Sequence, residues 1–212
     1  MSLSRRNFSK LIGSAVLADI FFTALPAVGK ALAGANDAGS PLTAKSLSEV
    51  SAMIHSGTVT SKQLVQALLD RIALYNPKIN CYVTVTAKEA FAAAEQMDAE
   101  AAAGKFRGPL HGIPISLKDN IDTAGIRTTA ASPMFKDRIP DEDAEVVRRL
   151  KEAGAVIIGK LNLHEFALGC TGDVSYFGPT RNPWNLAHVT GGSSAGSGAA
   201  PAAEMAFGAL GT

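Results

Sequence analysis

Apolar residues recur at helical spacing in the first half of the chain and predict three helices there. Each begins at a Ser or Thr followed three positions later by Glu or Gln, the spacing of a capping box: Ser46 with Glu49, Thr60 with Gln63, and Thr86 with Glu89. We expect the first helix to end near Gly57, the second at Asn76-Pro77, and the Ala-rich third at Gly104.

Short apolar runs between the predicted helices indicate strands. The runs are Cys81–Val85, Ile113–Leu117 and Ala155–Ile158, and a helix predicted over residues 143–153 precedes the last of them. Alternation of helices with short apolar strands is typical of an α/β domain built in layers. Residues 167–192 are mostly Gly, Thr, Asn and Pro, and a loop of this length in a compact domain is usually functional.

The N-terminus has the pattern of a twin-arginine export signal. Arg5-Arg6 precede an apolar stretch over residues 11–28, and Ala31-Leu32-Ala33 is a cleavage pattern of small residues. A membrane anchor is the alternative, but the run is short for a membrane span and Asp19 interrupts it. A removed signal peptide is therefore the preferred interpretation.

This interpretation divides the chain into three parts. We expect residues 1–33 to be the signal peptide, residues 34–45 a flexible lead-in, and residues 46–212 a folded domain. The mature protein would then be periplasmic or secreted, with no stable membrane insertion after signal removal.

Composition indicates a packed globular protein. Hydrophobic residues make up 47% of the chain, charged residues make up 18%, and the net charge is +1. A nucleic-acid binder normally carries a basic excess, so no nucleic-acid partner is expected. The two cysteines, Cys81 and Cys170, fit no metal motif. We interpret both as buried small hydrophobes, while a disulfide between them stays open.

Lys118 directly follows the apolar run Ile113–Leu117, within the segment Gly108-Pro109-Leu110-His111-Gly112-Ile113-Pro114-Ile115-Ser116-Leu117-Lys118-Asp119-Asn120. Burial disfavours the charged form of a lysine and lowers its pKa, which is what a lysine base requires. A solvated lysine at a strand end is the alternative, since most lysines are exposed.

Paired serines follow two glycines in the run Thr190-Gly191-Gly192-Ser193-Ser194-Ala195-Gly196-Ser197-Gly198. Glycine allows close approach of a ligand to the backbone, although flexible linkers have a similar composition. The run matches neither a phosphate-binding loop nor a dinucleotide fingerprint. We expect no cofactor and no metal ion.

Together these segments resemble the amidase signature family from about Leu42 to Thr212. Further matching stretches are Thr128-Thr129-Ala130, Ala153-Gly154-Ala155-Val156-Ile157-Ile158-Gly159-Lys160 with Asn162, and Phe177-Gly178-Pro179-Thr180-Arg181-Asn182-Pro183-Trp184. The resemblance implies an amidase-signature α/β fold, with a mixed central sheet covered by helices, of which this chain holds the N-terminal part. It also implies hydrolysis of the C–N bond of a small-molecule amide.

The resemblance assigns catalysis to a Ser–cis-Ser–Lys triad. Lys118 matches the lysine base and Ser193 the cis-serine, with Gly191, Gly192 and Ser194 as the supporting loop. A neutral lysine would take a proton through Ser193 and so activate the nucleophilic serine. In the family that nucleophile follows a Leu-Gly-Thr like the one that ends at Thr212, so we expect it to be absent from this chain and the chain alone to be inactive.

Two departures and two alternatives accompany this interpretation. Ala195 stands where the family usually has Gly, and Pro201 falls in the helix after the serine loop, where we expect it in the first turn.

The chain is also similar to the glutaminase-type component of glutamyl-tRNA amidotransferase (its A component), a cytoplasmic enzyme in the family, which the export signal disfavours. The other alternative is a non-enzymatic gene fragment.

Overall fold

The computed structural model describes residues 42–212. The predicted signal peptide and most of the predicted lead-in lie outside the described residues. Residues 42–45, the last of the lead-in, form a turn in which the Lys45 N–H donates to the Leu42 carbonyl and Thr43 is buried. Within the described part, none of the helices combines the length and the apolar character needed to span a membrane.

Five α-helices and six strands make up the described domain. The helices are α1 (Leu47–His55), α2 (Ser61–Ile79), α3 (Ala87–Ala102), α4 (Glu145–Glu152) and α5 (Ala195–Ala202). The strands are β1 (Tyr82–Val85), β2 (Pro114–Lys118), β3 (Val156–Leu161), β4 (Arg181–Asn182), β5 (Asn185–Val189) and β6 (Ala209–Leu210). Short 3₁₀ turns cover Pro133–Phe135 and Glu165–Ala167.

Four of the strands form a mixed sheet in the order β1-β3-β2-β6. Strand β1 is antiparallel to β3, whereas β2 is parallel to both β3 and β6. Helices cover this sheet, so the predicted α/β architecture with a mixed central sheet is confirmed.

The core consists of two apolar clusters that share the sheet. One contains Val156 and Ile158 of β3 with residues of α2, α3 and α5. The other contains Ile157 of β3 with Leu117 of β2 and residues of α1 and α4. Because successive side chains of a strand point to opposite faces, this alternation places one cluster on each side of the sheet. Strand β2, which ends at Lys118, and its neighbour β3 are therefore buried on both faces.

Helix α2 runs past the predicted stop at Asn76-Pro77. It continues to Ile79 and ends at Asn80, which has a left-handed backbone with φ 56°. Ile79 is buried, and burial of this last turn offsets the hydrogen bond that the proline cannot make. The Asn76 side chain accepts hydrogen bonds from the N–H groups of Cys81 and Tyr82 and so guides the chain into β1.

Three local predictions were wrong. Thr86 lies at the N-cap position of α3, but its side chain makes no capping hydrogen bond. Its hydroxyl donates instead to the Ile157 carbonyl at 3.0 Å. Pro201 lies in the last turn of α5, not the first. Residues 167–192 are not a single loop, because β4 and β5 pair as an antiparallel hairpin within them.

The cysteines differ from each other in environment. Cys81 is buried as predicted, and burial raises the pKa of its thiol to about 12. Cys170 is exposed, so its interpretation as a buried hydrophobe was wrong. Both thiols are free in this structure.

Candidate active site

Lys118 is the last residue of β2, and its side chain is fully buried. Its position at the end of a strand covered on both faces accounts for this burial. Desolvation lowers the pKa of the ammonium group below its usual value. The sequence-based expectation of a buried lysine at this strand end therefore describes the environment correctly.

Ser193 lies opposite this lysine. The Lys118 Nζ donates to the Ser193 Oγ at 2.8 Å, and the peptide bond between Gly192 and Ser193 is cis. The Ser193 carbonyl in turn accepts the His164 N–H at 3.0 Å, which fixes the serine loop against the segment after β3. Two residues 75 positions apart in the chain are thus in direct hydrogen-bond contact.

Thr212 supplies a second hydroxyl at this point, and the sequence analysis gave it no contact. Strand β6 runs parallel to β2 with Leu117 opposite Leu210, so the ends of both strands emerge side by side. The Lys118 Nζ donates to the Thr212 Oγ1 at 2.7 Å, and the Asn120 amide approaches the same oxygen at 3.4 Å. In the sequence, the match of Leu210-Gly211-Thr212 to the family's Leu-Gly-Thr stretch was the signal that could have pointed to Thr212.

The supporting loop is held by close packing as well as by hydrogen bonds. Ser194 Oγ accepts the Thr212 N–H at 3.2 Å and donates to the Thr212 carbonyl at 3.1 Å. Gly191 has φ +83°, a conformation that favours glycine, and nothing lies within 4 Å of a Cβ placed there. A Cβ on Gly192 would lie 2.8 Å from the Gly172 nitrogen. The loop thus requires glycine at position 191 because of its positive φ, and at position 192 because a side chain would collide with the backbone of Gly172.

Ala195, the departure from the family pattern, packs on Gly172. A Cβ at Gly172 would collide with the Ala195 methyl group, so the glycine in the neighbouring loop leaves room for the extra methyl. The backbone at Ser194 still leads directly into α5, with the Gly198 N–H donating to the Ser194 carbonyl. The departure is thus accommodated locally.

Behind Lys118 lies a buried pair of charged residues, Asp119 and Lys160. The Lys160 Nζ donates to the Ile121 carbonyl at 2.5 Å and to the hydroxyls of Thr123 and Thr128 at 3.2 and 2.6 Å. Burial lowers the pKa of Lys160 to about 8.

Asp119 completes this pair. Its Oδ2 accepts the N–H and hydroxyl of Thr129, while Oδ1 is buried with no hydrogen-bond partner among the described residues. Burial raises the pKa of this carboxyl, and the bonds from Thr129 oppose the rise.

No metal-binding cluster accompanies these residues. Within residues 42–212, no three or more His, Cys, Asp or Glu side chains are grouped so that they could hold a metal ion. The chemistry of the arrangement is that of a buried amine next to hydroxyls. Such an amine can accept a proton from a hydroxyl once it is neutral.

A family comparison agrees with this geometry. Residues 63–212 match the family model described as Amidase. The chain belongs to the amidase family. Among curated members, it is 49% identical over 168 residues to the glutamyl-tRNA(Gln) amidotransferase A component of Halorhodospira halophila, covering 79% of this chain and 34% of that protein. It is 54% identical over 154 residues to the same component of Geobacter metallireducens, covering 73% and 32%.

Solved amidase-family structures share the fold. The native peptide amidase of Stenotrophomonas maltophilia matches with a TM-score of 0.74 at 39% identity, over 78% of this chain and 35% of that one. A fatty acid amide hydrolase matches with a TM-score of 0.76 at 29% identity, over 80% and 30%. The chain spans about a third of the length of the curated relatives that it matches.

Proposed function

We propose that this chain supplies the proton-transfer part of an amidase site that hydrolyses a carboxylic amide. The observation that carries the proposal is the 2.8 Å hydrogen bond between the buried Lys118 amine and the Ser193 hydroxyl. Membership of the amidase family supports the reaction class, hydrolysis of a C–N bond.

The proposed mechanism uses Lys118 as the base. Desolvation increases its neutral fraction, and the neutral amine accepts the Ser193 proton while Ser193 takes a proton from the nucleophilic serine. The nucleophile attacks the amide carbon, and the C–N bond breaks as the same relay returns a proton to the departing nitrogen. Water then attacks the acyl-enzyme through the relay, which releases the carboxylic acid and restores the serine. The resemblance places that nucleophile after the stretch Leu210-Gly211-Thr212.

A chimeric enzyme tests this assignment. Residues 42–212 would replace the matching region of the Stenotrophomonas maltophilia peptide amidase, and ammonia release from primary amides would be measured. We expect an active chimera whose turnover falls at least about 100-fold in Lys118→Ala and in Ser193→Ala, the scale of a lost acid–base catalyst.

The matched control is Lys105→Ala, which removes an exposed lysine. Its turnover should equal that of the parent chimera. A folded Lys118→Ala chimera that keeps a tenth or more of the parent turnover would place Lys118 outside the catalytic machinery.

A second candidate function is that of the A component of glutamyl-tRNA amidotransferase. Its support is the identity to the named relatives, 49% and 54%, which exceeds the 39% identity to the peptide amidase. In that role the chain would act with partner proteins, and the chimera would release ammonia from glutamine in preference to simple amides.

Cellular location separates the two candidates. We propose export through the twin-arginine signal at residues 5–6, which agrees with a periplasmic or secreted amidase and not with a cytoplasmic amidotransferase. The protein should appear in the periplasm of a twin-arginine-competent bacterium. Replacement of Arg5 and Arg6 by Lys should retain it in the cytoplasm. Equal export of both forms would exclude this signal.

A further inference from the structure

The imidazole of His164 holds a bend in the chain at residues 169–172. Its Nδ1 accepts the Gly172 N–H at 3.3 Å, and the Thr171 hydroxyl lies 3.4 Å from the same nitrogen. Since a backbone N–H can only donate, Nδ1 carries no proton in this arrangement. The Asp173 carboxylate, 3.9 Å from Nδ1, accepts the Thr171 hydroxyl and so stays bound to the bend.

The bend also packs closely on the imidazole ring. A Cβ placed on Gly169 would collide with the Cε1 and Nε2 atoms of His164. The His164 side chain is only 14% exposed, so its contact with the bend is largely protected from water. The ring therefore fixes the bend at Gly169 by packing and at Gly172 by a hydrogen bond.

The same bend supports the serine loop. A Cβ on Gly192 would lie 2.8 Å from the Gly172 nitrogen, the atom whose hydrogen is donated to His164, and 3.0 Å from the Gly169 carbonyl oxygen. The bend is thus in close contact both with the His164 ring and with the glycine that precedes Ser193.

The backbone of His164 restrains Ser193 directly. Its N–H donates to the Ser193 carbonyl at 3.0 Å. One residue thus fixes the chain on both sides of the Ser193 Cα, the carbonyl by its backbone and the preceding Gly192 by its side chain acting through the bend. The Ser193 hydroxyl between them accepts the Lys118 Nζ–H at 2.8 Å, so a shift of the loop would lengthen this contact.

We propose that His164 is a positioning residue that keeps the Ser193 hydroxyl within hydrogen-bond distance of Lys118. The inference rests on the proposed function, in which this contact transfers the proton. His164 acts through the bend and not on the substrate. The property that it must supply is an acceptor at the position of Nδ1.

Substitutions that keep or remove this acceptor test the inference in the 212-residue chain. The side-chain oxygen of asparagine can take the place of Nδ1, whereas leucine puts a methyl group there. NMR of lysines labelled with ¹³C at Cε would follow the titration of Lys118 between pH 7 and 11, and Lys118→Met would identify its signal.

The expected shifts follow from the loss of one hydrogen bond. Ser193→Ala removes an acceptor of the Lys118 ammonium and should lower its titration midpoint by roughly 0.5–1 pH unit. His164→Leu should lower the midpoint to a similar extent, and His164→Asn should lower it by less than half as much. His188→Leu is the matched control, because His188 is exposed on β5, and it should leave the midpoint unchanged.

A double mutant shows whether His164 acts through Ser193. In the Ser193→Ala background, His164→Leu should cause no further shift, because the contact is already lost. An additive shift, equal shifts in the Leu and Asn variants, or an unchanged midpoint in folded His164→Leu would overturn the inference. If His164→Leu does not fold, His164→Gln replaces it, since glutamine moves the amide oxygen one atom beyond the place of Nδ1.

Turnover of the chimera separates this inference from the proposed function. If both hold, His164→Leu lowers turnover at least about tenfold with little change in KM, and adds no loss to that of Ser193→Ala. A shifted Lys118 midpoint together with unchanged turnover in both Lys118→Ala and His164→Leu would support the positioning of Ser193 and count against the proposed function.

Discussion

Two fully buried lysines lie near each other in neighbouring strands but differ in their hydrogen-bond partners. Lys118 of β2 is paired in register with Leu161, and Lys160 of β3 with Leu117. Lys160 donates to three oxygens of the segment that follows β2, which uses all three of its protons. Lys118 instead contacts two hydroxyls, from Ser193 and Thr212. This difference fits a structural ammonium at Lys160 and an exchanging proton at Lys118.

The titration of Lys160 gives a prediction at this scale. Its pKa is about 8 in the folded protein, against about 10.4 in an unfolded chain. Between these values the unfolded state binds more protons, so the contribution of Lys160 to stability rises with pH. We expect the stability advantage of the parent over Lys160→Met to grow by up to about 1.4 kcal/mol per pH unit between roughly pH 8 and 10.

Urea unfolding of both proteins at pH 7, 8, 9 and 10 measures this difference. Below about pH 7 the difference should be constant, because Lys160 is then almost fully protonated in both states. Lys105→Met, a change at an exposed lysine, is the control and should differ from the parent by the same amount at every pH. A flat profile for Lys160→Met would show that burial does not shift this lysine.

Sequence motifs singled out the two members of the candidate pair, Lys118 and Ser193, but not the residues that surround them. Lys118 and Ser193 stand in motifs whose residue types and spacing point to a buried base and a serine loop. The role of Lys160 depends on acceptors at residues 121, 123 and 128, which only folding brings together with it.

At the scale of elements, helix α5 is positioned by close backbone contact. The Gly196 N–H donates to the Asn162 carbonyl at 2.8 Å, and a Cβ on Gly196 would lie 2.5 Å from the Cys81 carbonyl oxygen. The helix therefore starts directly against the chain at the ends of β1 and β3. This contact carries the serine loop, because Ser193 and Ser194 immediately precede α5.

Two glycines in α5 give a matched pair of substitutions. Gly196→Ala should destabilise the protein by about 3 kcal/mol, because the atoms it would meet are backbone and cannot shift cheaply. Gly198→Ala should be neutral or stabilise by up to about 1 kcal/mol, since Gly198 is exposed with nothing within 4 Å of its added Cβ. Chemical denaturation measures both, and equal effects of the two changes would show that α5 does not approach the strands this closely.

Element types followed from the sequence more reliably than element ends. Periodicity and apolar runs identified α1 to α4 and β1 to β3, because these patterns are local. The hairpin of β4 and β5 was missed, since all five residues of β5 are exposed and no burial pattern marks them. Strand β6 has only two residues, and its pairing with β2 at Ser116 and Leu117 defines it.

At the scale of the whole domain, the central sheet links the two core clusters. Ile158 and Leu117 are fully buried, one in each cluster, and they lie on the neighbouring strands β3 and β2. If the side chains packed on one face of a strand are lost, the strand shifts, and the side chains on its other face lose their packing as well. Residues 42–212 should therefore unfold in one cooperative transition that includes the frame of the candidate site.

Truncation of either residue tests this coupling. Leu117→Ala and Ile158→Ala should each cost about 2–5 kcal/mol, as large-to-small core changes do. Hydrogen exchange would be followed in α1, which packs on the Leu117 side, and in α5, which packs on the Ile158 side. Each substitution should accelerate exchange in both helices alike, whereas Leu74→Ala, at an exposed position, should change neither. Faster exchange in α1 alone after Leu117→Ala would mean that the two clusters unfold separately, and that Lys118 and Ser193 can lose contact without global unfolding.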